Sequence, residues 1–91
     1  LFWEELLSRY LSWIREQPCC MCYANGSDAH HIIGYGEGKM GSKAPDIATI
    51  PLCRRCHQEL HDTFSNDWIK PQLRYLILTL DKAVKDGIIT L

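Results

Sequence analysis

Four of the five cysteines form two Cys-x-x-Cys pairs, Cys19/Cys22 and Cys53/Cys56, and this spacing constrains the fold more than any other feature. Two such pairs supply the four thiolates of a tetrahedral structural zinc site, and residues 23–52 give enough chain for a hairpin that brings the pairs together. A chain of 91 residues buries only a small core, so a structural metal is the expected source of additional stability. The odd cysteine count and the spacing argue against disulfides. Cys20 is expected to be an ordinary core cysteine.

The hydrophobic pattern predicts one domain over residues 1–91 with a helix at each end. Three-to-four spacing of apolar residues indicates an amphipathic helix over 1–17, which Pro18 ends. A zinc knuckle and a hairpin occupy 19–53, with short strands over 29–33 and 47–52. A metal-binding helix is expected over 54–63 and a C-terminal helix over about 67–86, the latter with an apolar stripe of Leu73, Leu76, Ile77, Leu80 and Val84. The predicted fold class is therefore α+β.

The four histidines predict a second metal site. His57 and His61 are four residues apart on the predicted helix, so both imidazoles project from one face and can hold one metal. His30 and His31 are adjacent on a strand and leave it by opposite faces. One of them can therefore complete a three-histidine site while the other serves as a general base for a water molecule. A zinc-protease motif is excluded because the acid, Glu59, does not directly follow the first histidine.

These residues together resemble the HNH endonucleases with the ββα-metal fold. The resemblance covers residues 19–61: a His-His pair, a hairpin and then Cys-x-x-Cys-His-x-x-x-His. Within that family, the segment HHIIGYGEGKMGSKAPDIATIPLCRRCHQELH is most similar to a phage and prophage group of recombination-associated nucleases. The resemblance implies a zinc-stapled, treble-clef-like HNH core flanked by an N-terminal and a C-terminal helix. These two helices lie outside the motif, and we expect them to carry no information about the chemistry.

The resemblance implies a metal-dependent DNA endonuclease. It assigns His30, His57 and His61 to a catalytic divalent ion, which could be Zn2+, Mg2+, Mn2+ or Ni2+, and makes His31 the general base. The family's middle asparagine is absent, and Asp46 is the nearest substitute. Its carboxylate could brace the hairpin by accepting backbone N–H groups, join the metal shell, or be a plain turn residue.

DNA would have to bind at a local basic surface, because the net charge of the chain is −1. The candidates are Lys39, Lys43, Arg54 and Arg55, which outnumber the single acid Asp46 over residues 39–55. The segment 36–41 matches G-x-G-x-x-G, but no helix is predicted after it and the chain is too short for a dinucleotide-binding fold. A glycine-rich hairpin loop near phosphates or a solvated turn are the open interpretations.

The expected partners are DNA and, by the resemblance, a recombinase filament or another phage or host DNA-processing protein. Neither a membrane span nor a signal peptide is present in the sequence, so we expect an intracellular protein. A non-catalytic zinc module that binds nucleic acid or protein is the main alternative, because a structural zinc site accounts for the cysteines without any catalytic activity. A zinc-dependent hydrolase of another class is a second alternative.

Overall fold

The computed structural model describes residues 2–34 and 44–90, which form three helices and a two-stranded sheet. In chain order these are α1 (Phe2–Glu16), β1 (Asp28–His31), β2 (Thr49–Leu52), α2 (Arg54–Asp62), a 3-10 turn (Asn66–Trp68) and α3 (Ile69–Lys85). The predicted α+β class and element order are confirmed. Lys39, Lys43 and the glycine-rich segment 36–41 lie outside the described residues.

The strands pair antiparallel, with His30 opposite Ile50 and His31 opposite Thr49. Both are shorter than predicted. On the β2 side, a turn replaces the start of the strand: Ala48 N–H donates to the Pro45 carbonyl at 2.8 Å. On the β1 side, the strand ends after His31, because the next residues bond to a loop and to a helix side chain rather than to β2.

Two apolar clusters hold the elements together. The larger one joins the knuckle, the residues after β1, β2, α2 and α3, and its fully buried members include Cys19, Ile50, Leu52 and Leu60. The smaller one packs Tyr10, Trp13 and Ile14 of α1 against Ala83 of α3. Hydrogen bonds supplement the packing: the Tyr10 hydroxyl donates to the Thr49 carbonyl at 3.2 Å, which ties α1 to the sheet.

Helix α3 buries a face that only partly overlaps the predicted apolar stripe: Leu76 is buried and Leu80 and Val84 are partly buried. Leu73 and Ile77, both assigned to the buried stripe, are 39% and 59% exposed, whereas the buried positions are Gln72, Leu76, Thr79 and Ala83. The physical reason is a tertiary contact. Gln72 makes hydrogen bonds with the backbone of Ile33, just after β1, so the face of α3 that carries Gln72 is buried. Helix α3 ends at Lys85, before Gly87 (φ +77°), as predicted. None of the helices in the described ranges has the length and hydrophobicity needed to cross a bilayer.

Candidate functional site

The four paired cysteines converge on one point. Cys19 and Cys22 lie in the turn between α1 and β1, Cys53 is the N-cap of α2, and Cys56 lies in its first turn. Their sulfur atoms all lie within 4.8 Å of one another, and Cys22 Sγ is 3.6 Å from Cys53 Sγ. This cluster can hold a structural metal ion, as the spacing predicted.

Backbone geometry prepares the sulfur atoms for a metal. The amides of Met21 and Cys22 donate to Cys19 Sγ at 3.4 and 3.5 Å, and Cys56 N–H donates to Cys53 Sγ at 3.5 Å. Such bonds favour the thiolate, which is the form that binds zinc. A hydrogen bond with the Ala24 backbone, followed by one with Cys53, lowers the pKa of Cys22 to about 6.

Cys20 lies outside this cluster. It is partly buried against the larger apolar core, and burial raises the pKa of its thiol to about 12. A neutral thiol packed against apolar side chains is what the sequence predicted for this residue.

Three of the four histidines form a second cluster. His30 comes from β1, while His57 and His61 come from successive turns of α2, and one ring nitrogen of each lies within 4.8 Å of the others. The ring centroids are 4.8 to 5.5 Å apart. His30 is fully buried, His57 is partly buried and His61 is exposed, so the cluster opens to solvent on one side. The helical spacing predicted the pair His57 and His61 and left open which of His30 and His31 joins it; the resemblance implied His30, and His30 is the one that lies in the cluster.

The rings of this cluster are held by side chains around them. Asp28 Oδ2 accepts a hydrogen bond from His57 Nδ1 at 3.1 Å, which leaves His57 Nε2 free for a metal. The nitrogen His30 Nε2 lies 3.0 Å from Gln72 Oε1. Burial lowers the pKa of His30 to about 4, so its ring is neutral at physiological pH, the form that ligates metals. A donor set of three imidazoles with an oriented carboxylate behind one of them fits a divalent transition metal.

His31 is paired with Asp46. His31 Nε2 lies 2.8 Å from Asp46 Oδ1, and since an ionised carboxylate only accepts, the histidine nitrogen is the donor. In the neutral ring, this leaves His31 Nδ1 with a free electron pair. The Asp46 carbonyl also accepts the Thr49 hydroxyl at 2.9 Å, which fixes the turn before β2. Asp46 therefore holds His31 directly, while its backbone takes part in the turn.

Of the four residues of the predicted basic surface, Arg54 and Arg55 lie within the described residues. Arg54 Nε donates to Asp28 Oδ2 at 3.2 Å, but its side chain is 88% exposed. Arg55 lies beside the cysteine cluster, where a hydrogen bond with Cys22 raises the pKa of the guanidinium. A surface cavity of about 300 Å³ is lined by Asp28, Arg54, His57, Gln58 and His61. A ligand in this cavity would contact both the open histidines and a basic side chain.

Comparison with known proteins gives a family. The family model described as a protein of unknown function, DUF968, matches residues 3–87. The chain belongs to this family. It is also similar to the uncharacterized protein YdfU of Escherichia coli strain K12, at 41% identity over 83 residues. That alignment covers 89% of this chain and 24% of YdfU, so the chain spans about a quarter of this relative's length. No solved structure matches.

Two residues at the histidine cluster were missed by the sequence analysis. Asp28 stands two positions before His30 on β1, and strand alternation alone could have placed both on one face. Gln72 lies on α3, which we expected to carry no information about the chemistry, and its Oε1 lies 3.0 Å from His30 Nε2. Gln72 lies four and seven residues before the buried Leu76 and Thr79, so helical periodicity indicates that it lies on the buried face of α3. Periodicity does not identify His30 as its hydrogen-bond partner.

Proposed function

We propose that this chain is a metal-dependent DNA endonuclease with an HNH-type ββα-metal core. The observation that carries the proposal is the arrangement of the histidines. His30, His57 and His61 converge from β1 and α2, and the adjacent His31 lies outside that cluster and is paired with Asp46. Three ligands beside a separately held base are a set suited to metal-assisted hydrolysis.

Two metal ions have different parts in this proposal. Zinc on Cys19, Cys22, Cys53 and Cys56 has four protein ligands and stabilises the fold. The histidine cluster supplies three ligands and faces the surface cavity, which leaves room for a substrate oxygen. When bound there, a divalent cation supplies Lewis-acid stabilisation of a phosphate oxygen and of the leaving oxygen.

His31 is the proposed general base. Its Nδ1 takes the proton from the attacking water, while Nε2–H remains bonded to Asp46. The ring then becomes a cation, and the Asp46 carboxylate at 2.8 Å stabilises that charge. Asp46 thus acts through His31, by holding one tautomer and one ring orientation.

DNA is the substrate implied by the resemblance to HNH endonucleases, and the charge distribution bears on how it binds. The chain as a whole carries −1, but Arg54 adjoins the cavity with most of its surface exposed. Binding to such a local basic surface is expected to be weak and sensitive to salt. A recombinase or another DNA-processing protein would then deliver the substrate.

The test is cleavage of plasmid and single-stranded DNA by the zinc-loaded chain under added Mg2+, Mn2+, Zn2+ or Ni2+. We expect His31→Ala to retain the fold and both metals and to lose on the order of 10²–10⁴-fold in cleavage rate. Purified identically, this variant also controls for contaminating nuclease. Equal cleavage by the wild type and His31→Ala would refute the assigned base. Absence of cleavage under every ion would favour the non-catalytic zinc module.

A further inference from the structure

Gln72 is a fully buried polar residue on the first turns of α3, and three hydrogen bonds connect its amide to β1 and the residues after it. Its Oε1 accepts the Ile33 N–H at 2.8 Å, and its Nε2 donates to the Ile33 carbonyl at 2.9 Å. The third contact is to His30 Nε2, 3.0 Å from Oε1. The amide therefore joins the end of a strand to a residue of the histidine cluster.

The backbone of Ile33 determines which way the amide points. An N–H can only donate and a carbonyl can only accept, so a flipped amide would oppose like groups at both positions. Complete burial leaves no solvent to satisfy the mismatched groups. The oxygen of Gln72 is consequently fixed toward His30.

A fixed amide oxygen in turn determines the protonation of the neighbouring ring. Because Oε1 has no proton to give, His30 Nε2 must be the donor in this contact. The neutral ring then carries its proton on Nε2 and its free electron pair on Nδ1. Only the nitrogen with the free pair can bind a metal.

We propose that Gln72 is a positioning residue that fixes the Nε2–H tautomer of His30 and presents Nδ1 to the metal of the histidine cluster. The role of that metal rests on the proposed function, whereas the tautomer does not. The cluster then has two outer acceptors of different charge: the Asp28 carboxylate behind His57 and the neutral Gln72 amide behind His30. Helix α3, which lies outside the ββα motif, is thereby a part of the metal site.

The first measurement is direct. In zinc-loaded protein without a second metal, the nitrogen shifts of the His30 ring report its tautomer through long-range proton–nitrogen NMR correlation. We expect a protonated Nε2 and an unprotonated Nδ1. The opposite tautomer would overturn the proposal without any reference to cleavage.

The second measurement compares two substitutions by titration with Co2+ and its visible absorption. Gln72→Glu keeps an oxygen acceptor toward Ile33 N–H and His30, and in its protonated form also replaces the amide donor. Gln72→Leu keeps similar bulk but no acceptor. We expect the Glu variant to bind Co2+ within about threefold of the wild type and the Leu variant to bind on the order of 10–100-fold more weakly. Equal affinities of the Leu variant and the wild type would overturn the proposal, as would equal losses in both variants.

Thr79→Ala is the matched control. Thr79 is a buried polar residue on the same face of α3, but its hydroxyl donates to the Tyr75 carbonyl within the helix. It should leave Co2+ affinity unchanged, so a loss in this variant too would assign the Gln72 effect to α3 packing and overturn the positioning role. Co2+ binding without DNA cleavage would overturn the nuclease proposal alone. A wild type that binds no Co2+ at the histidines would overturn both.

Discussion

The two metal-ligand clusters share α2 but differ in how they are enclosed. Cys56 and Cys19 are buried, and the amides of the knuckle turn point at the sulfur atoms of the cysteine cluster. In the histidine cluster the rings pass from fully buried His30 to exposed His61. A complete set of four cysteine ligands, two of them buried, suits a structural ion, and three ligands beside a cavity suit the proposed ion that also contacts a substrate. The same helix thus contributes ligands to a candidate structural site and to the site proposed to be catalytic.

The clusters also differ in charge. Four thiolates around one divalent ion leave a formal charge of −2, whereas three neutral imidazoles leave the full +2 of the ion. In a chain with a net charge of −1, the histidine cluster loaded with metal is therefore the place where a phosphate would be attracted most strongly. Asp28 offsets part of this charge and Arg54 restores it, so the proposed DNA site depends on the second ion for its electrostatics as well as its chemistry.

The largest effect is expected from Cys53→Ala, which should unfold the domain. Apparent zinc-binding free energies of structural sites are about 10–16 kcal/mol, as large as the entire stability of a typical domain at about 5–15 kcal/mol. Circular dichroism and zinc content should report loss of helix and metal together. Cys20→Ala is the matched control, since Cys20 lies in the same knuckle but outside the cluster, and it should keep its zinc and its fold. A folded, zinc-free Cys53→Ala would contradict a structural role for this cluster.

Mild chelation should separate the clusters next. We expect the chain loaded with both ions to lose one of its two metals to EDTA, because the histidine ion would be reachable through the cavity, whereas the cysteine ion would have four protein ligands, two of them buried. Metal content by mass spectrometry and helicity by circular dichroism check this. Readdition of Mn2+ or Mg2+ should restore cleavage. Loss of both metals at one rate would show that the clusters do not differ in enclosure.

Sequence reasoning located the ligands because their signals are local. The Cys-x-x-Cys pairs and the spacing of His57 and His61 follow from turn and helix geometry, so they can be identified before any tertiary structure is known. A hairpin could bring either His30 or His31 to this pair; the resemblance implied His30, and the pairing of β1 with β2 places His30 there. The element order followed from hydrophobic periodicity and from Pro18 and Gly87.

The side chains that hold the histidine rings, Gln72 and Asp28, could not be predicted in the same way. The contact between Gln72 and His30 joins residues 42 apart in sequence, and the one between His57 and Asp28 joins residues 29 apart. Periodicity assigns a face to a residue but names no partner for it. It also misplaced the buried stripe of α3, since a polar residue on the buried face lowers the hydrophobic signal there.

His61→Ala should have an intermediate effect. It removes the exposed ligand, so we expect loss of the second metal and of cleavage with a change in stability within about 0.5 kcal/mol, as for most surface substitutions. Thermal unfolding and Co2+ titration measure the two effects separately. Glu59→Ala, on the same helix and also exposed, controls for a change on the α2 surface. Equal metal binding by the two variants would show that His61 is not a ligand of the second metal.

The smallest effect is expected from Asp28→Ala. This substitution tests a residue that orients a histidine of the cluster rather than a member of the cluster itself. Its carboxylate receives His57 Nδ1–H at 3.1 Å, and loss of such an outer acceptor lowers metal affinity by about 10–100-fold. Arg54→Gln is the matched control, because Arg54 bonds the same oxygen, Oδ2, from the solvent side. Without Arg54, Asp28 remains available to His57, so Co2+ affinity should be kept while DNA binding weakens. If both variants weakened Co2+ binding equally, Asp28 would act through the general charge of this surface and not through the His57 ring.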